Sequence, residues 1–154
     1  MKAKQENIPL NILLADDDKD DRFFFARALK ELPIRTKLVT VTDGEKLMQY
    51  LDKNIDTLPD ALFLDLNMPR KNGAECLEAI KSNKALKDFP IIIYSTSLND
   101  SIADVLYQKG AHYYMRKCDF IDLVKQLQKI LTLLTEKKFK RPSRDKFMLN
   151  LQEI

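Results

Sequence analysis

From residue 10 to residue 135 the sequence switches repeatedly between two periods, and this alternation restricts the fold more than any other feature. Short β-branched or aliphatic runs stand at Leu10 to Ala15, Lys37 to Val41, Ala61 to Leu64, Ile91 to Tyr94 and Tyr113 to Lys117. Between them apolar residues recur at helical spacing: Phe25, Ala28, Leu29 and Leu32, then Leu47, Tyr50 and Leu51, then Cys76, Leu77 and Ile80, then Ile102, Val105 and Leu106. The last such stretch, Phe120 to Leu134, is the longest, with apolar residues at steps of three and four. Five strands alternating with five helices predict an α/β protein, a doubly wound five-stranded parallel sheet with helices on both faces. Runs such as Ile91-Ile92-Ile93 fit this, because a strand inside a parallel sheet is buried on both sides and needs no polar face. Asp43-Gly44 and Asn72-Gly73 precede helical patterns, Gly110 follows one, and Pro90 precedes a strand, so the punctuation agrees with the periods.

With 154 residues, 45% apolar and 32% charged, the chain suits one domain with a sizeable core, and wholesale disorder is excluded. Its apolar runs are far too short to cross a bilayer. Ile12 to Ala15 leads straight into three aspartates where an export signal needs small residues, so a cytoplasmic protein without membrane contact is expected. Cys76 and Cys118 are too few and too far apart for a disulfide framework or zinc site, and free thiols are expected. From Glu136 to Ile154 six basic residues face three acidic ones, which accounts for the whole net charge of +3. Residues 8–135 therefore read as the domain, and residues 136–154 as a basic extension without a domain of its own. The run Lys137-Lys138-Phe139-Lys140-Arg141 is read as a solvated helix end, where cations are favourable, and no nucleic-acid partner is expected. The apolar Phe147, Met148, Leu149 and Leu151 are expected to pack on the domain's own surface or on a second copy.

In an open parallel sheet, ligands bind beyond the carboxyl ends of the strands. Strand 1 ends in Asp16-Asp17-Asp18, strand 3 in Asp65, strand 4 in Ser95-Thr96 and strand 5 in Lys117. Two carboxylates about 5 Å apart at an effective dielectric near 20 repel by roughly 3 kcal/mol. Such a cluster stays ionised only with cations among it. Lys117 supplies one, and a divalent ion is the natural second; all-oxygen ligands suit Mg²⁺. An aspartate beside Mg²⁺ and a lysine is able to attack a phosphoryl group, because the cations offset the charge that would repel it. Asp18 and Asp20 are read instead as helix N-terminal residues.

These motifs, Asp16-Asp17-Asp18 after Ile12-Leu13-Leu14-Ala15, Asp65-Leu66-Asn67-Met68-Pro69 through Gly73, Tyr94-Ser95-Thr96-Ser97, and Gly110 through Tyr114 to Lys117, occur in an order and at spacings that resemble the receiver domain of two-component response regulators. The resemblance runs from about Asn11 to Thr135 and is greatest to the single-domain, CheY-like branch. It implies strand order 2-1-3-4-5 and a phosphorylation-dependent switch. It also implies that Asp65 accepts a phosphoryl group from the phosphohistidine of a sensor histidine kinase or a histidine phosphotransfer protein. On the same footing, Asp16, Asp17, Asp65 and the backbone carbonyl of Asn67 would hold Mg²⁺, Lys117 would pair with Asp65 or its phosphoryl group, and Ser95 and Tyr114 would be the switch residues. Output through the face of the fourth helix, fifth strand and fifth helix is implied, and homodimers through that face or through the C-terminal extension are expected.

Two departures stand out. Cys118 follows Lys117 where the family usually has a proline, often cis; a cis Lys-Cys bond costs about 2.5–4 kcal/mol, so either the bond is trans or strain is offset elsewhere. Thr96 follows Ser95 where many relatives carry alanine. Tyr114 reads equally as a core aromatic and His112 as exposed and idle; a neighbouring lysine is able to lower the pKa of Cys118, but an ordinary thiol is the preferred reading there. Two rival functions remain: a Mg²⁺-dependent phosphohydrolase using Asp16 and Asp18, and a phosphorylation-independent docking receiver.

Overall fold

The computed structural model describes residues 8–96 and 99–149. Five strands, β1 (Leu10–Ala15), β2 (Thr36–Val41), β3 (Ala61–Leu64), β4 (Ile91–Ser95) and β5 (Tyr113–Arg116), form one parallel sheet in the order β2-β1-β3-β4-β5. Helices α1 (Lys19–Lys30), α2 (Gly44–Lys53), α3 (Gly73–Ser82), α4 (Asp100–Gln108) and α5 (Phe120–Thr135) follow the strands in turn. This is the doubly wound α/β fold that the alternating periods predict.

The pleat sorts the strand residues into two cores. Leu13, Ala15, Leu62, Leu64, Ile91, Ile93 and Tyr114 face α2, α3 and α4, meeting Leu47, Leu51, Leu77, Ile80 and Leu106. The alternate positions Ile12, Leu14, Phe63, Ile92, Tyr94 and Met115 face α1 and α5, meeting Phe25, Leu29, Leu123, Leu127 and Ile130. A strand covered on both faces has no polar side, so β1, β3 and β4 read as unbroken apolar runs. β2 lies at an edge and alternates instead, leaving Val39 40% exposed.

Every helix begins with a carboxylate or amide that accepts a backbone N–H: Asp18, Asp43, Asn72, Asn99 and Asp119. Each such cap contributes on the order of 1 kcal/mol and fixes where the chain turns after a strand. At Asn72 the cap is reciprocal with Glu75. Gly73 is required there, since a Cβ would lie 2.3 Å from the carbonyl oxygen of Asp65. That close approach seats the first turn of α3 against the loop that leaves β3.

The cations Lys137, Lys138, Lys140 and Arg141 stay exposed, as the solvated reading expects, but the apolar residues beyond them dock on the domain. Beyond a 3₁₀ turn, Arg144–Lys146, the chain runs parallel to β5. The Tyr114 N–H donates to the Phe147 carbonyl, and the Leu149 N–H donates to the Tyr114 carbonyl, both at 2.9 Å. Phe147 is fully buried, edge-on to Tyr107 and Tyr114 at 5.3 and 6.3 Å. Arg141, exposed at the end of the basic run, also stacks its guanidinium 3.8 Å from the Tyr107 ring centroid and donates to the Ala111 carbonyl. A guanidinium over an aromatic face loses less hydration than an ammonium would, so this contact forms while the residue remains exposed. Of the apolar cluster foreseen in this segment, Leu151 lies outside the described residues.

His112 also departs from expectation. It is half-buried, not exposed; its Nδ1 accepts the Ile91 N–H at 3.2 Å, and Phe139 packs on its ring. Burial, reinforced by Lys81 and Arg141, pushes its pKa down to about 4. The position after Gly110-Ala111 turns the ring inward beneath the C-terminal segment, which the local sequence does not reveal.

Candidate functional site

The carboxyl ends of β1, β3, β4 and β5 converge on one pocket. Asp16 is fully buried and Asp65 is 4% exposed, while Asp17 is exposed. One carboxylate oxygen from each of the three lies within 4.8 Å of the others. Lys117, from the end of β5, brings the ammonium: its Nζ lies 2.8 Å from Asp16 Oδ2 and 3.5 Å from Asp65 Oδ2. The Tyr94 ring centroid, 5.2 Å from the same nitrogen, forms the apolar wall.

Burial sets the electrostatics. It raises the Asp16 carboxyl above its ordinary range against the pull of Lys117. It pushes Asp65 up to about 6, with Lys117 opposing and the Asp16 charge adding to the rise. Burial alone would lower the Lys117 ammonium, but its close pairing with Asp16 and Asp21 and the charge of Asp65 carry it above its usual value. One ammonium is thus set against two buried carboxylates and a third at the rim. The buried Asp16 Oδ2 has no hydrogen-bond partner despite its ion pair. An orphaned buried carboxylate oxygen in an all-oxygen cluster fits a hard divalent cation.

The remaining sequence-predicted residues surround this cluster. The Asn67 N–H donates to Asp65 Oδ1 at 3.3 Å, so the turn after β3 wraps the Asp65 carboxylate. Ser95 is fully buried at the end of β4, and its Oγ has no hydrogen-bond partner. Tyr114 is 1% exposed with its ring inward and its hydroxyl unpartnered. Thr96 is exposed at the rim; Ser97 lies outside the described residues. Asp18 caps α1 by accepting the Asp21 N–H. That leaves Asp18 turned to the helix, not to a reacting group.

Two expectations about Cys118 resolve. No peptide bond among the described residues is cis, so Lys117 is placed without one. The thiol is not activated: burial of its sulfur, with Asp122 and Asp119 adding, pushes it up to about 11, and it donates to Gln126 Oε1. The adjacent lysine does not lower it because that ammonium is directed to the carboxylates. Both cysteines are free.

One residue of the pocket is not apparent from the strand-end pattern. Asp21, in the first turn of α1, accepts a 2.7 Å hydrogen bond from Lys117 Nζ. The signal is helical phase: in a helix starting at Lys19, the third residue is able to face back across the strand edge that the helix leaves.

Comparison with known proteins agrees with this geometry. The family model described as the response regulator receiver domain matches residues 12–128. The response regulator Rcp1 of Synechocystis sp. is 33% identical over 133 residues, covering 83% of this chain and 90% of its own. The probable methanogenesis regulatory protein FilR2 of Methanothrix harundinacea is 28% identical over 126 residues, 79% and 81% of the two chains. Among solved structures, the phosphorylated cyanobacterial phytochrome response regulator RcpA matches with a TM-score of 0.76 at 30% identity, covering 84% of this chain and 96% of its own. The Mn²⁺-bound form of Rcp1 matches with a TM-score of 0.74 at 31% identity, covering 88% and 100%.

Proposed function

The chain belongs to the response regulator receiver family of two-component signalling, and from that premise we propose that it works as a stand-alone phosphoacceptor switch, with Asp65 as the acceptor. The observation that carries this reading is the buried Asp65 carboxylate beside Lys117 and beside an orphaned oxygen of Asp16. An Asp65 oxygen attacks the phosphorus of a phosphohistidine on a histidine kinase or phosphotransfer protein. The new P–O bond forms as the P–N bond breaks, and the imidazole leaves with its electron pair and takes up a proton. Asp16, Asp17, Asp65 and the Asn67 carbonyl would hold Mg²⁺, which would neutralise charge on the transferring oxygens. Lys117 donates to the same group from the opposite strand, and Ser95, already buried with a free hydroxyl, gains the acceptor it lacks.

Family members act as signalling modules, and we read this chain as a switch with only self-phosphotransfer and autodephosphorylation, not as a metabolic enzyme. Ser95 and Tyr114 are the proposed switch pair, since both hydroxyls are buried and unpartnered within adjoining strands. Residues 8–135 are taken as the receiver and 136–154 as an extension, of which the described part, through Leu149, packs on it. That extension lies along β5 and over Tyr107, so output or pairing of two copies through the α4-β5-α5 face has to involve or displace it. A cytoplasmic location is part of the same proposal; no described helix is long and apolar enough to cross a membrane. The test is intact mass after incubation with acetyl phosphate, with Mg²⁺ and then with EDTA. A Mg²⁺-dependent phosphate adduct on the wild type, absent in Asp65→Asn, is expected; no adduct with acetyl phosphate and no binding of beryllofluoride would leave only a docking module.

A further inference from the structure

Lys117 has three N–H donors and three carboxylates around them, but these are not equivalent. Among the described residues its one aligned hydrogen bond goes to Asp21 Oδ2 at 2.7 Å; Asp16 and Asp65 are ion pairs at 2.8 and 3.5 Å. Asp16 and Asp65 also belong to the group whose oxygens converge within 4.8 Å, and Asp21 does not. Any cation shared by that group draws on the charge of Asp16 and Asp65 and leaves Asp21 as the carboxylate wholly available to the ammonium. Asp21 is also well fixed. Its own N–H is tied to the Asp18 cap, and the next residue, Arg22, donates from Nη1 to the Asp16 carbonyl at 2.9 Å.

We propose that Asp21 is a positioning residue for phosphoryl transfer: it anchors the Lys117 ammonium at the pocket wall so that the remaining donors face the phosphoryl group on Asp65. The inference rests on the phosphoacceptor reading above. A lysine on a flexible four-carbon stem has no fixed direction of its own. Without Asp21 the nearest carboxylate is Asp16, and the ammonium then competes with the cation for that oxygen instead of serving the acceptor.

The experiment uses the full chain at saturating Mg²⁺, with adduct formation from acetyl phosphate followed by intact mass. Asp21→Asn is expected to slow it about tenfold, and Asp21→Glu, which keeps the charge, to recover part of the rate. In a Lys117→Met background Asp21→Asn is expected to have no further effect, because its action passes through the ammonium. A second readout needs no phosphoryl donor: the Lys117 ¹⁵Nζ ammonium signal, held in slow exchange in the wild type, is expected to be lost in Asp21→Asn. A rate within twofold of wild type in Asp21→Asn, or equal slowing with and without Lys117, overturns the proposal. A wild type that takes no adduct overturns the acceptor reading beneath it, and is told apart by being silent in every variant.

Discussion

The carboxylate pocket and the C-terminal segment lie near opposite ends of β5 and are built on opposite physical principles. The pocket buries carboxylates that burial itself disfavours, as the raised pKa values of Asp16 and Asp65 show. The segment buries Phe147 completely and completes the hydrogen bonds of a sheet edge. One region holds the fold under electrostatic strain in exchange for reactivity, and the other adds apolar burial where the five-stranded sheet would otherwise stop. β5 serves both, with Lys117 beyond one end and Tyr114 under Phe147.

The largest expected effect tests the segment. Phe147→Ala should lower stability by about 3–5 kcal/mol, the usual cost of a large aromatic lost from a packed site. The ceiling is the docking energy of the whole segment, given by a chain ended after Thr135. Val39→Ala, on the exposed opposite edge, should stay within about 0.5 kcal/mol. Urea midpoints for the three variants measure this; a Phe147→Ala loss below about 1 kcal/mol would mean that the segment does not close the sheet.

The second prediction sets two titrations against each other. Asp65 has a raised native pKa, near 6 against an ordinary 3.8, so its destabilising effect is full above pH 6 and disappears as pH falls toward 4. His112 has a depressed native pKa, about 4 against 6.5, so its stabilising contribution is present above pH 6.5 and is lost as pH falls toward 4. The two slopes have opposite sign over nearly the same window, each on the order of 3 kcal/mol. Wild-type stability should therefore rise less from pH 6.5 to 4.5 than that of a variant without His112. Asp65→Asn should be more stable at pH 7 and fall steeply on acidification, whereas His112→Gln should gain stability as pH falls. Urea midpoints at pH 7 and 4.5 decide, and a parallel response of both variants would remove the opposition.

A third effect is smaller. If the orphaned oxygen of Asp16 marks a cation site, Mg²⁺ at ten times its dissociation constant should raise stability by about 1.4 kcal/mol. Asp16→Asn should abolish that gain, while Phe147→Ala should keep it in full. A gain unchanged in Asp16→Asn would detach the cation from the pocket.

Much of this was legible beforehand, for reasons that differ by region. The two-period alternation follows from burial on both faces of β1, β3 and β4, so order and class were readable from Ile91-Ile92-Ile93 and its counterparts. The strand-end residues Asp16, Asp65, Ser95 and Lys117 could be brought together on paper because a parallel sheet aligns its carboxyl ends. Asp21 was not foreseen, because its role depends on helical phase and on a partner 96 residues away. Nor was the inward turn of His112, because Phe139, which packs on its ring, comes from a segment whose basic composition suggests solvent. Local pattern reports how an element is buried; it does not report which distant segment buries it.

The smallest prediction concerns how that segment is held. Arg144 Nε lies 2.6 Å from Asp104 Oδ1, but both side chains are largely in water, at 34% and 57% exposure. An exposed pair of this kind contributes about 0.2–1 kcal/mol and weakens with salt. Arg141 over Tyr107 draws on the ring face and should lose less as salt rises. The amide protons of Tyr114 and Leu149 report the docking directly, since each is bonded across the junction between β5 and the segment. Arg144→Ala should speed their exchange about threefold at low salt and less in 0.5 M salt, where screening removes the pair but not the contact with the Phe147 ring. Arg141→Ala should speed it at both. If both variants lost their effect in salt, the segment would be held by charge, and the contrast with the charged pocket would narrow to Phe147 alone.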